Sequence, residues 1–195
     1  MNFCARCHSS LSPLVRSDSL YCGTRCRVAA HRSRPRLPFP VDLIAAPRWV
    51  RRNVDKVPLR LNGRNASSTD SSSWSDYESA AAGNAGVGLG FVVNGDGIVC
   101  VDLDHCLDES ATVAGWAQTI VDSIPRTFVE VSPSGDGLHV WGRSDFVGGR
   151  RIQVDGGMVE VYATGRYLTM TGKKFSGSSN RLADLSRFID SILGG

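Results

Sequence analysis

Short runs of alternating apolar and polar residues fill the chain from residue 86 to residue 172, and a period of two marks strands. The first run, GVGLGF at residues 86–91, has glycine at every second position, which leaves one sheet face bare for a backbone or a substrate to approach. It does not match G-x-G-x-x-G and no helical pattern follows it, which excludes a dinucleotide loop. NGDG at residues 94–97 is a hairpin turn signal leading into IVCVDLDH, residues 98–105, which reads as a buried strand ending in two carboxylates. Side chains alternate along a strand, so Asp102 and Asp104 share one face while Val101 and Leu103 point into the core.

Residues 128–132 and 138–142 read as a hairpin around Pro133, Ser134, Gly135, Asp136 and Gly137, with His139 opposite Leu138 and Val140. Residues 158–162 alternate again and set Glu160 opposite Val159 and Val161; through residues 163–165 this strand is expected to pair with residues 166–172. Residues 146–157 read as a Gly-rich connection whose Arg150 and Arg151 meet phosphates or stand exposed. Beyond residue 64, helical spacing predicts three helices. The first is capped by Asp70 or Thr69 and runs to about Ala82, with Trp74, Tyr77 and Ala81 inward; the others span 110–124 and about 180–193. The fold class is α+β.

Composition refines the picture. At 195 residues with 42% hydrophobic and 21% charged residues, the chain suits one substantial domain plus a small appendage. No apolar run is long enough to span a bilayer and no signal-peptide pattern is present, so the expected location is cytoplasmic. The net charge of +3 hides an asymmetry: residues 1–64 carry 13 Arg/Lys against 3 Asp/Glu, and the remainder 9 against 16. A basic arm beside an acidic core points to a polyanion partner and a cation site.

The basic arm opens with Cys4, Cys7, Cys22 and Cys26, a C-x2-C and a C-x3-C fourteen residues apart. That spacing lets four thiolates enclose a tetrahedral structural Zn²⁺, with His8 or His31 as alternative ligands. A basic helix with Arg25, Arg27 and Arg32 follows, and Pro35, Pro38 and Pro40 stop it. The expected organisation is a zinc knuckle over 1–33, a basic Pro-rich linker over 34–47 and a catalytic domain over 48–195.

In the acidic part, two carboxylates on one strand face repel each other and are costly to desolvate, a cost that a hard cation such as Mg²⁺ or Mn²⁺ removes. An acidic pair, a Ser/Gly loop leading to a histidine and a third strand acid together point to metal-assisted phosphoryl transfer.

The strings VDLDHC, SPSGDGLHVW and VEVYATGRYLTMTG, in that order, resemble motifs I, II and III of the archaeo-eukaryotic primase superfamily. Within it they are most similar to the primase-polymerase domains of phage and plasmid replication proteins. The resemblance covers roughly residues 49–174 and includes a lead-in with Lys56, Pro58, Gly63 and Trp74. It implies a core of two mixed-sheet subdomains, one of them RRM-like, with the site in the cleft between them. It also implies two divalent metals on Asp102, Asp104 and Glu160. Ser134, Gly135, Gly137 and His139 would bind the triphosphate of an NTP or dNTP, with His139 mainly a donor to phosphate. Arg166 and Lys56 would lie beside the nucleotide or template. The implied partners are a single-stranded DNA template, a primer and a replicative helicase. Glu160 stands where many members carry Asp, with Glu130 a nearby decoy, and the 195 residues include no helicase region. Two other readings use the same residues: a metallonuclease or phosphodiesterase, and a non-catalytic zinc-containing nucleic-acid-binding module of a replication complex.

Overall fold

The computed structural model describes residues 2–33 and 37–194, and the chain divides into two units, Met1–Leu37 and Pro38–Gly195. In the first unit, hydrogen bonds from Cys4 N to Ser9 O and from His8 N to Cys4 O close a turn around Cys4 and Cys7. A bond from Ala5 N to Leu20 O brings up the second cysteine pair, and helix α1 (Thr24–Arg32) follows. Of the expected linker, residues 34–36 lie outside the described residues. From Pro38 onward the chain belongs to the second unit: Phe39 and Leu43 are buried, and Trp49 Nε1 donates to Leu43 O at the end of a short helix, α2 (Val41–Ala45).

The second unit holds two sheets. Strands β1 (Trp49–Arg52), β2 (Pro58–Leu59), β3 (Gly88–Asn94) and β9 (Thr164–Met170) form a four-stranded sheet in the order β2-β1-β3-β9. The six-stranded sheet runs β10-β6-β4-β8-β7, with β5 paired to β6. Its strands are β4 (Ile98–Leu103), β5 (Phe128–Val131), β6 (Leu138–Arg143), β7 (Gly149–Val154), β8 (Gly157–Tyr162) and β10 (Ala183–Asp184). The four-stranded sheet is antiparallel throughout rather than mixed. In the other, only β10 runs parallel to its neighbour, β6.

Strand alternation builds two cores. Val99, Val101 and Leu103 of β4, Leu138 and Val140 of β6, and Val159 and Val161 of β8 pack against α4 (Gly115–Ser123) and α5 (Ser186–Leu193). From the opposite face, Cys100, Phe128 and Trp141 meet Trp49, Phe91, Leu168 and Met170 of the four-stranded sheet. Both faces of β4 are therefore covered, which is why it reads as a continuous apolar run.

Several expectations are corrected. The NGDG turn is real, with Gly95 and Gly97 at positive φ, but it makes no hairpin: it carries the chain from β3 in one sheet to β4 in the other. Arg48, 4% exposed, holds that turn by pairing with Asp96 at 2.8 Å and with Asn94. Likewise β9 pairs with β3, not with the Glu160 strand, so the chain returns to the four-stranded sheet at Ala163. The Gly-rich stretch expected as a connection contains β7, paired to β8.

The helices are shorter than expected because side chains compete for backbone N–H groups. Asp70 caps only a 3₁₀ turn, Ser71–Ser73, and Asp76 starts α3 (Tyr77–Ala82), which buries Ala80 rather than Ala81. Asp108 accepts from Ser110 N and Thr112 N and so delays α4. Pairing of Ala183 and Asp184 with Gly142 and Arg143 delays α5. Among the described residues, no helix is long and apolar enough to cross a membrane.

The alternating glycines have particular neighbours. A Cβ on Gly86 would fall 2.1 Å from Arg52 O, and one on Gly90 would fall 1.9 Å from the Tyr167 ring. The bare face thus admits a backbone at one end and an aromatic side chain at the other. Gly90→Ala is expected to displace Tyr167 and to destabilise the unit by about 1–3 kcal/mol, measured by urea unfolding. An unchanged midpoint would show that the ring has room to move.

Candidate active site

One row of residues crosses the inner face of the six-stranded sheet. Cross-strand pairing sets Glu130 (β5) opposite His139 (β6), His139 opposite Asp102 (β4), Asp102 opposite Glu160 (β8), and Glu160 opposite Arg151 (β7). The adjacent row, Phe128, Trp141, Cys100 and Tyr162, is aromatic and apolar. The charged row therefore sits against a dry wall. Asp104 lies just past the end of β4, and ligand oxygens of Asp102, Asp104 and Glu160 fall within 4.8 Å of one another.

The three acids are held differently. Glu160, buried, receives Arg151 Nε on Oε1 at 2.5 Å and the Tyr162 hydroxyl on Oε2. Asp102 Oδ1 is buried with no hydrogen-bond partner, and His139 Nε2 stands 3.7 Å from it. Burial pushes the Asp102 carboxyl up to about 6; His139 pulls it down, while Asp104 and Glu160 add to the rise. An orphaned carboxylate oxygen beside two more carboxylates fits a hard divalent cation, and an all-oxygen donor set favours Mg²⁺ or Mn²⁺.

Beside these acids a cleft of about 500 Å³ opens, within the range of small-ligand sites. Lys56, Ser68, Ser134, His139, Tyr162, Arg166 and Tyr167 line it. Arg166 stacks over the Tyr162 ring at 4.7 Å, which fixes its guanidinium beside the acids. Lys56 stands in a turn at φ 62 rather than in an extended stretch, and its side chain is exposed. Gly135 and Gly137 do not line the cleft. Their N–H groups donate to Ser132 O and Ser132 Oγ, so they shape the loop instead of offering it to an anion. Gly137 is needed for close approach, since a Cβ there would fall 2.9 Å from Leu103 O.

The bifunctional DNA primase/polymerase family, through its N-terminal domain, matches residues 5–187. The chain belongs to that family. A DNA primase-polymerase of Nitratiruptor phage NrS-1 is 40% identical over 155 residues, which cover 75% of this chain and 21% of that protein. The chain thus spans about a fifth of that relative's length.

The first unit of this primase/polymerase family member presents a second ligand set. Sγ atoms of Cys4, Cys7, Cys22 and Cys26 lie within 4.8 Å of one another, with Cys7–Cys22 at 3.6 Å and Cys22–Cys26 at 3.5 Å. All are free thiols. Such spacings approximate the edge of a tetrahedron, roughly 3.8 Å, with Zn–S bonds of about 2.3 Å. The neighbouring thiols push Cys22 up to about 12, while Cys4 falls to about 6, its burial outweighed by backbone hydrogen bonds, so one thiolate forms at the expense of another. Four thiolates thus need a cation to coexist, and the donor set fits Zn²⁺. His8 is not part of the set, and the His31 side chain lies outside the described residues.

Sequence reading missed Tyr162 as a Glu160 partner, although it stands two residues along on the same strand face. It left Arg151 ambiguous and took Glu130 for a decoy.

The raised Asp102 pKa gives a pH prediction. Between 3.8, its ordinary value, and about 6, the folded chain retains a proton that the unfolded chain has released. The stability this group confers is therefore full below pH 3.8 and is lost as pH rises through about 6. In metal-free protein, Tm should fall across that window relative to Asp102→Asn, by the equivalent of roughly 2–3 kcal/mol at most. Mn²⁺ should raise Tm more at pH 7.5 than at pH 5. Equal metal shifts at both values would place the cation elsewhere.

Proposed function

We propose that this chain catalyses template-directed nucleotidyl transfer on single-stranded DNA, making primers, extending them or both, in phage or plasmid replication. The observation that carries the reading is the meeting of Asp102, Asp104 and Glu160 beside His139 in a cleft that also presents Lys56, Ser134 and Arg166. Family membership gives that constellation its direction. The six-stranded sheet is taken as the RRM-like part of the core.

Divalent Mg²⁺ or Mn²⁺ held by Asp102, Asp104 and Glu160 would neutralise triphosphate charge and activate the attacking 3′-hydroxyl. The chain's own groups do the positioning, which is most of the catalysis in phosphoryl transfer. Arg166, fixed by Tyr162, and Lys56 meet phosphate oxygens as cations. Ser134, whose hydroxyl donates to Asp136, would turn that proton to phosphate from the loop, and His139 donates from the sheet floor. Arg151 and Tyr162 hold the Glu160 carboxylate toward the two aspartates. No side chain is needed as a covalent nucleophile.

The first unit, with Zn²⁺ on its four cysteines, contacts template or primer. A groove there is lined by Arg6, Arg25 and Arg32 around Val28 and Ala29, a cationic rim on an apolar floor. The reading places the protein in the host cytoplasm and allows a replicative helicase as a partner.

The decisive assay uses single-stranded DNA, labelled nucleotides and Mg²⁺ or Mn²⁺, with and without a primer. Wild type should synthesise product and Asp102→Ala/Asp104→Ala should lose it by at least about 100-fold. Shortening of the DNA would establish a nuclease instead. Binding without synthesis, surviving loss of both aspartates and weakening steeply with salt, would establish a binding module.

Cys4→Ser or Cys22→Ser should release zinc, read by metal analysis, and impair priming more than extension. Equal loss of both activities with an unfolded second unit would overturn the division of labour.

A further inference from the structure

Glu130 is fully buried and stands outside the acidic group of Asp102, Asp104 and Glu160. Oε2 accepts hydrogen bonds from Thr171 N at 3.0 Å and Gly172 N at 2.8 Å, and Thr171 Oγ1, which donates to Val131 O at 2.7 Å, lies 3.2 Å from it. Thr171 and Gly172 directly follow β9, so this oxygen ties the end of the Arg166 strand to the six-stranded sheet. Oε1 faces the other way. It accepts from Trp141 Nε1 at 3.3 Å and stands 3.6 Å from His139 Nδ1. The two oxygens thus have separate tasks, one across the sheets and one along the charged row.

His139 is itself buried, and its Nδ1 has no hydrogen-bond partner in the resting arrangement. A carboxylate oxygen faces each ring nitrogen, Glu130 Oε1 at Nδ1 and Asp102 Oδ1 at 3.7 Å from Nε2, so both nitrogens can carry a proton and Nε2 keeps one to donate. A carboxylate behind a histidine fixes its tautomer and orientation, and such contacts are often long before substrate binds.

We propose that Glu130 is a positioning residue for nucleotide binding. Its Oε1 orients His139 through Nδ1–H and so aims Nε2 into the cleft, at the triphosphate of the incoming nucleotide. This rests on the reading of His139 as a phosphate donor. Trp141 Nε1 holds the same oxygen from the dry row, so the carboxylate cannot turn away from the ring without losing that bond.

Glu130→Gln separates the two tasks. The amide oxygen can still accept from Thr171 and Gly172, while the amide nitrogen sets a donor against His139 Nδ1–H. Backbone bonds from Val131 N to Lys173 O and from Phe175 N to Val129 O continue to join the same segments. The test measures ¹⁵N–¹H imidazole spectra, dATP and ATP binding by calorimetry, and the nucleotide KM and kcat of synthesis. His139→Ala assigns the His139 resonances among the four histidines.

Wild type should show His139 protonated at Nδ1, and Glu130→Gln should lose that signature. The variant's dATP affinity should fall about tenfold, the size of a lost hydrogen bond to a charged group. KM should rise by a similar factor and kcat should change less. The double variant Glu130→Gln/His139→Ala should be no worse than His139→Ala, because one residue acts through the other. Two outcomes would overturn the proposal: an Nδ1-deprotonated His139 in wild type, or losses that multiply in the double variant. The wild-type spectrum decides even if Glu130→Gln does not fold. A wild type that binds neither dATP nor ATP would sink the polymerase reading, while the His139 spectrum still judges Glu130.

Discussion

Burying carboxylates next to one another is the constraint around which the second unit is arranged. Glu130, Asp102 and Glu160 occupy one cross-strand row, and directly opposed like charges destabilise a sheet. The row survives because His139 separates Glu130 from Asp102, and Arg151 and Tyr162 take up Glu160. Only Asp102 keeps an unmatched oxygen, and it is the one whose carboxyl is pushed up toward neutrality. The residual strain sits where a cation would relieve it. A slip of β4 by one residue would turn Asp102 into the helix-covered core and Val101 into the cleft, so register is fixed as strongly by charge as by apolar packing.

The cleft owes its place to two crossings between sheets. The turn at residues 94–97 passes the chain from β3 to β4, and Ala163 passes it back from β8 to β9. Asp102 and Glu160 lie on the strand side of these crossings, while Arg166 and Tyr167 lie beyond the second. The acids and Arg166 are thereby carried by different sheets and meet across the gap. Had β9 continued as a hairpin with β8, Arg166 would share the sheet of Glu160, and no second wall would face the acids. Arg48, buried beneath the first crossing and stacked at 4.8 Å from the Phe91 ring, holds it in place.

Much of this was legible in the residues because it is local. Alternation placed Asp102, His139 and Glu160 on the faces they occupy, and cysteine spacing placed the thiol cluster. What failed was non-local or conformational. Asn-Gly-Asp-Gly encodes a turn but not which sheet receives the next strand. Glycines at 148, 149, 156 and 157 hid β7, whose pairing depends on β8 and not on its own propensity. Asp76 and Asp108 shortened helices through bonds that an apolar period does not show. Glu130 could be seen on the His139 face, yet its neighbours Thr171 and Gly172 are some forty residues away along the chain, and only the fold brings them together.

Glutamate rather than aspartate at 160 suits the same row. Directly opposed residues have Cβ atoms about 4.5–5.5 Å apart, so a short carboxylate at 160 would be held near Asp102 and away from Asp104, which lies past the strand end. An extra methylene lets the group lean along the strand. It meets Tyr162 on one oxygen and Arg151 on the other, and still falls within 4.8 Å of both aspartates. Arg151 is itself two-thirds exposed, so solvent screens its attraction and leaves the carboxylate able to share its charge with a cation. A buried, fully neutralised pair would have locked Glu160 into structure. A half-exposed one keeps it oriented and available.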